Sequence, residues 1–139
     1  MIVLDTNVLS EQMKPNPSGV VAKWAAGIPL SELFTTAISE AEMRVGVEIM
    51  PAGKRRMALA AEIQQMFDAD FSNRVLPFDR AAAHALSGLP LRRDRHGVPI
   101  VDADAMIAAI ACAHGASVAT RDEKDFQGFG VQIINPWTA

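Results

Sequence analysis

The chain has 139 residues, half of them hydrophobic, with a formal net charge of −3 and a single cysteine. That length suits one domain (residues 1–139) with a sizeable core, and the mild acidity argues against a protein that coats nucleic acid by bulk positive charge. One thiol rules out an internal disulfide, so a reducing, cytoplasmic setting is expected.

No cationic start leads into an apolar stretch, and no run approaches the roughly 18 apolar residues of a membrane span, so no leader and no membrane partner is expected. The lone Cys112 lies among alanines and reads as a small buried thiol.

The first expected strand, residues 2–4, runs straight into Asp5. A short helix over 8–13 should stop before "KPNP", where Pro15 and Pro17 disfavour helix. Ser18 then caps a second helix that ends at Gly27. Residues 33–37 are β-rich and form strand two, followed by a helix over 39–50 that Pro51 closes. Met57, Ala60, Ile63, Phe67 and Phe71 recur at helical spacing. Residues 74–78 form strand three, and Asp79 caps a helix from Arg80 that Gly88 and Pro90 interrupt.

"DADAMIAAIACAHG" (102–115) is a helix with Gly115 as its stop, 116–120 is strand four, "RDEKDFQGFG" is a polar loop and 131–134 is strand five. Strands alternate with helices and are continuously apolar. An α/β fold follows, with a parallel sheet covered on both faces.

Open parallel sheets build sites at the C-terminal ends of their strands. Asp5 follows strand one, Ser39 and Glu42 follow strand two, and Thr120, Arg121 and Asp122 follow strand four, with Asp125 nearby. Asp102 and Asp104 open the helix before strand four. Four acids converging in a partly buried cleft repel one another when ionised. A hard divalent cation relieves this, and carboxylates with water suit Mg²⁺ or Mn²⁺. Metal held by acids, with no nucleophilic side chain, suits phosphodiester hydrolysis. No Gly-rich phosphate loop and no His/Cys set at zinc spacing is present.

Each acid also has a plainer reading. Asp5 fits a helix cap, Ser39 with Glu42 fits a capping box, Asp102 and Asp104 both suit a helix start, and Asp122 fits a turn. Periodicity does not choose between Asp102 and Asp104, because their helix is apolar nearly all round. The runs "KRR" (54–56) and "RRDRH" (92–96) read as solvated faces or as an RNA phosphate track. Met43, Val47, Met50, Met57, Ile63 and Met66 read mostly as core.

"IVLDTNVLSE", "TTAISEAEMRVGVE", "VDADAMIAAIACAHG" and "VATRDEKDF" resemble the PIN-domain ribonucleases of bacterial toxin–antitoxin modules, the VapC toxins, over essentially the whole chain. "LPFD", "MPAGKRR" and the terminal "NPW" are most similar to the FitB branch. The resemblance implies an α/β/α sandwich around a parallel sheet of about five strands. It also implies a metal-dependent endoribonuclease restrained by a small DNA-binding antitoxin, commonly dimeric, reaching operator DNA through that antitoxin.

Position by position, it matches Asp5, Glu42, Asp104 and Asp122 to the family's acids and leaves Asp102 as a helix cap. Asp5 and Asp104 then become the principal Mg²⁺ ligands with Asp122 assisting, and Glu42 orients water or holds a second ion. Thr6, Asn7, Ser39 and Thr120 are candidates for holding carboxylates or waters in place, and Arg44 and Arg121 for touching substrate.

Three other readings compete. A PIN-like subunit could act mainly in a DNA-bound regulatory complex with little turnover, or the same fold could cut DNA. A haloacid-dehalogenase-type phosphatase wants a second Asp where this chain has Asn7.

Overall fold

The computed structural model describes residues 1–139. Five strands, β1 (Ile2–Leu4), β2 (Leu33–Thr36), β3 (Val75–Leu76), β4 (Ser117–Ala119) and β5 (Ile133–Ile134), lie in the order β3-β2-β1-β4-β5, all parallel. The register sets Val3 beside Phe34 on one side and Val118 on the other. Seven α-helices intervene: α1 (Thr6–Gln12), α2 (Gly19–Ala26), α3 (Ala37–Glu48), α4 (Lys54–Gln65), α5 (Arg80–Ser87), α6 (Ala103–Ala113) and α7 (Glu123–Phe126).

Successive strand residues point to opposite faces, and this divides the core in two. Val3 and Val118 join α5, α6, Phe126 and Phe129 in one apolar cluster. Leu4 and Ala119 join Val8 and Leu9 of α1, Met43 and Val47 of α3, and Ile63 of α4 in the other. The expected three-layer α/β/α sandwich results. Helix α6 carries no exposed residue from Ala105 to Ala111 except half-buried Met106, which explains its lack of an apolar stripe. No helix is long and apolar enough to cross a membrane.

The connections run outward from β1 through β2 to β3, then return to the far side of β1 for β4 and β5. The direction reverses between β1 and β4, and ligands bind at such switch points. Asp5 and Thr120 are the residues that leave those two strands.

Local chemistry moved several boundaries. Helix α1 begins at Thr6, two residues before the expected start, because Asp5 is its cap. Helix α3 begins at Ala37 with Thr36 as its cap, so strand two is shorter than expected and Ser39 is not a cap. The pairing of β3 is confined to two residues, and Pro77, which lacks an N–H, follows at once. The supposed polar loop after β4 contains α7, anchored by fully buried Phe126. The α4 pattern continues into a wider π turn over Met66–Asp70 that buries Met66 and Phe67. Ser18, Asp79 and Asp102 cap α2, α5 and α6 as expected. Cys112 is exposed rather than buried, in the last turn of α6. Of the methionine-rich positions, Met43, Val47, Ile63 and Met66 are core, whereas Met57 is 73% exposed.

Candidate active site

Asp5 is only 6% exposed. Its backbone N–H donates to the Ala119 carbonyl at 2.9 Å, extending the β1–β4 pairing by one bond. Its Oδ1 accepts from the Thr6 N–H at 2.8 Å and so caps α1. Its Oδ2 accepts from the Thr120 hydroxyl at 2.8 Å. The cap therefore fixes the carboxylate without removing it from the cleft.

Asn7 lies in the first turn of α1 and gathers the other wall. Its amide group donates to Asp122 Oδ2 at 3.1 Å, Thr120 Oγ1 at 3.3 Å and Asp5 Oδ2 at 3.4 Å, while its Oδ1 accepts from the Arg121 N–H at 3.3 Å. Thr120 is fully buried and also accepts from the Asp122 N–H at 3.0 Å. From the other side, the Thr6 hydroxyl donates to Glu42 Oε1 at 2.9 Å. Because Thr36 caps α3, Glu42 stands in the second turn of that helix with its carboxylate turned to the cleft rather than closing a capping box. Asp104 stands in the first turn of α6.

Asp5, Glu42, Asp104 and Asp122 thus line one cleft of about 390 Å³, with Thr6, Asn7, Ser10, Glu11, Lys14, Arg121 and Trp137. Two larger grooves, of about 600 and 560 Å³, are more apolar and flank the α1–α4 side of the sheet. The smaller one carries the concentrated chemistry.

Electrostatics mark the same residues. Burial raises the Asp5 pKa above its usual value against hydrogen bonds from Thr120 and Thr6, and Glu42 and Asp122 add repulsion. The Asp104 carboxyl is raised to about 6, by burial first and then by the charges of Asp5, Asp125, Asp102 and Glu42. Such groups favour either a proton or a cation. No three acidic, histidine or cysteine side chains stand in a ready ligating arrangement. Mg²⁺ is commonly held by one or two carboxylates and keeps several waters, so a cleft rich in carboxylates and hydroxyls fits a hydrated hard cation.

The other expected residues divide. Thr6, Asn7 and Thr120 are in the site. Ser39 is fully buried in α3, and its Oγ has no hydrogen-bond partner. Arg44 pairs with Glu40 at 2.7 Å and donates to Gln64 at 3.0 Å; it does not line the cleft. Arg92 is not part of a free basic track. It donates to Asp102 at 2.9 Å, reaches Asp125 at 3.7 Å and lies over the Phe129 ring. His84, His96 and His114 are exposed and outside the cleft. Four cleft residues were not anticipated, Ser10 of α1 among them. Buried Glu11 and its partner Lys14 continue the polar face of α1, and Trp137 reaches in from the C-terminus. The i, i+3 spacing of Glu11 and Lys14 was the available signal, and for Trp137 it was an isolated aromatic after Asn135 and Pro136.

A parallel sheet in this order, with carboxylates gathered at its switch point, defines a class of α/β nuclease-like domain. The sequence matches the PIN domain family over residues 2–130, and the chain belongs to that family. It is 43% identical to the VapC ribonuclease Y4jK of Sinorhizobium fredii, over 99% of this chain and 98% of that protein. It is 38% identical to Toxin FitB of Neisseria gonorrhoeae, over 99% of both chains. Among solved structures it is similar to FitAB bound to the IR36 DNA fragment, with a TM-score of 0.85 and 38% identity over 99% of this chain and 96% of that one.

Proposed function

We propose that the protein is the toxin of a type II toxin–antitoxin pair, an endoribonuclease that hydrolyses RNA phosphodiester bonds and is neutralised by a cognate antitoxin. The observation that carries this is the convergence of Asp5, Glu42, Asp104 and Asp122 on one cleft that no cysteine or histidine lines. The similarity to a VapC ribonuclease and to Toxin FitB supports it.

Mg²⁺ is the proposed cofactor, with Mn²⁺ as a substitute; Asp5 and Asp104 would hold it, and Asp122 directly or through water. When bound, the cation offsets phosphate charge and makes a water more acidic. The chain's own groups do the positioning. Thr120 and the Thr6 N–H fix Asp5, Asn7 fixes Asp122, and Glu42, steadied by Thr6, orients the attacking water. The water oxygen bonds to phosphorus as the P–O bond to the leaving ribose oxygen breaks, and that oxygen leaves with a proton. One domain spanning 1–139, a homodimer in the cytoplasm, and contact with operator DNA through the antitoxin complete the reading; the DNA-bound FitAB relative supports the last of these. A regulatory subunit with little turnover is not favoured, because all four acids are in place and three of them accept hydrogen bonds from neighbouring side chains.

The test is to incubate purified wild type and Asp104→Asn with RNA and with DNA, in Mg²⁺, Mn²⁺ or EDTA, and to sequence RNA ends after controlled expression of wild type and Asp5→Asn. RNA cleavage that EDTA abolishes and the folded variants lack is expected. Full cleavage by folded Asp104→Asn would overturn the site, and cleavage of DNA alone would reassign the substrate.

A further inference from the structure

One wall of the cleft is not used by the carboxylate chemistry. Trp137 is the one apolar residue among the eleven that line it. An indole two residues from the C-terminus is ordinarily free to move, yet this one is held. The backbone N–H of Trp137 donates to Asn135 Oδ1 at 3.0 Å, and Asn135 Nδ2 donates to Glu123 Oε2 at 3.0 Å, tying the segment to the first turn of α7. Pro136 is buried, and the half-buried indole packs against the cluster around Leu4 and Ala119.

Arg121 meets it. The guanidinium carbon lies 5.1 Å from the Trp137 ring centroid, within the range of a cation–π contact. The Arg121 backbone is fixed from below by Asn7, the residue that also holds Asp122. Although five acids line its cleft, Arg121 takes part in none of the chain's ion pairs, which engage the N-terminal ammonium, Lys14, Arg44, Arg56 and Arg92. Arg121 is an exposed residue of the cleft lining, and its guanidinium is not spent on a carboxylate.

Unpaired RNA bases are bound by stacking on aromatic rings and on arginine planes, whereas paired bases keep those faces covered. We propose that Arg121 and Trp137 form a stacking subsite for one unpaired nucleobase beside the scissile phosphate. This rests on the endoribonuclease reading above. It adds that recognition next to the cut is by base stacking, and it places the strand against α7 and the C-terminal turn.

The experiment uses the full chain carrying Trp24→Phe, which leaves Trp137 as its only tryptophan. Titration in EDTA with a short unstructured RNA should quench the Trp137 emission, and an abasic oligonucleotide of equal length and charge should not. With cation present, Trp137→Leu should raise KM for single-stranded RNA about tenfold, the scale of one lost base stack, with kcat within about twofold. Trp137→Phe should recover most of the loss and guards against a folding defect. Arg121→Lys, which keeps the charge but not the plane, should fall between them. Equal quenching by the abasic strand, an unchanged KM in folded Trp137→Leu, or a wild-type KM in Arg121→Lys would each overturn the subsite. If wild type cuts no RNA, the enzymatic reading fails, and the fluorescence titration still decides the stacking subsite alone.

Discussion

The Thr120 hydroxyl donates to Asp5 Oδ2 across 2.8 Å, joining two buried residues that leave adjacent strands. Burial pushes the Asp5 pKa up, and this bond opposes that rise by favouring the charged form. Thr120→Val keeps the shape and removes the donor. The Asp5 carboxyl then rises further, and the acidic limb of the kcat/KM profile moves to higher pH. A hydrogen bond to a charged group contributes about 1.5–3 kcal/mol, so activity at neutral pH should fall about ten- to a hundredfold while circular dichroism is unchanged. A profile identical to wild type would remove Thr120 from the site.

Helix α3 supplies a contrast between two hydroxyls. Thr36 Oγ1 accepts from the Ser39 N–H at 3.1 Å and caps the helix, whereas Ser39 Oγ is buried without a partner. Losing a cap costs about 1 kcal/mol, and removing an unsatisfied buried hydroxyl costs little or stabilises. Urea denaturation should therefore show Thr36→Val destabilised by about that amount and Ser39→Ala at least as stable as wild type. A large loss in Ser39→Ala would mean that its hydroxyl has a partner in solution, such as a water.

These two residues also show how far the sequence could be read. "SEAE" has the spacing of a capping box, and nothing in one dimension says that Thr36, three residues earlier, takes the cap first. Once it does, Ser39 is turned inward and Glu42 is released toward the cleft. The strands were legible because their apolar runs are short and bounded, and the acids because they follow those runs. The strand order was not legible from local pattern, since the reversal at β1 and β4 comes from long crossovers. Helix α7 was missed because its polar residues hide one buried anchor, Phe126. Trp137 was missed because a single aromatic near a terminus has no periodicity.

Arg92 is a clamp whose role differs from that of its neighbour. It joins Asp102, the cap of α6, to Asp125 at 2.9 and 3.7 Å. Arg93 instead donates to the Gly97 carbonyl at 2.7 Å, closing the loop on itself. Both carboxylates that Arg92 touches raise the Asp104 pKa. Arg92→Glu should lower the melting temperature and weaken cleavage together, because it adds a third like charge at the start of α6. Arg93→Glu should leave the melting temperature near wild type. If Arg93 touches an RNA phosphate, the slope of log affinity against log salt should fall by about one. Equal melting temperatures for the two reversals would show that Arg92 clamps nothing.

If Asp104 holds the proposed cation, its titration should link cation binding to stability. Its folded pKa, about 6, lies above its usual 3.8. The folded state therefore binds the proton more tightly than the unfolded state, and protonation stabilises the fold. This contribution is absent well above pH 6, grows as pH falls through about 6 and is complete below the unfolded value near 4. Without divalent cation, wild type should gain stability relative to Asp104→Asn as pH falls from 7.5 toward 5, since the variant has no proton to take up there. Mg²⁺ should reverse the dependence. It favours the ionised carboxylates, so it should raise the wild-type melting temperature at pH 7.5, raise it much less at pH 5, and leave Asp104→Asn nearly unmoved at both. Parallel melting curves for the two proteins with and without Mg²⁺ would show that Asp104 binds neither the proton nor the cation as described.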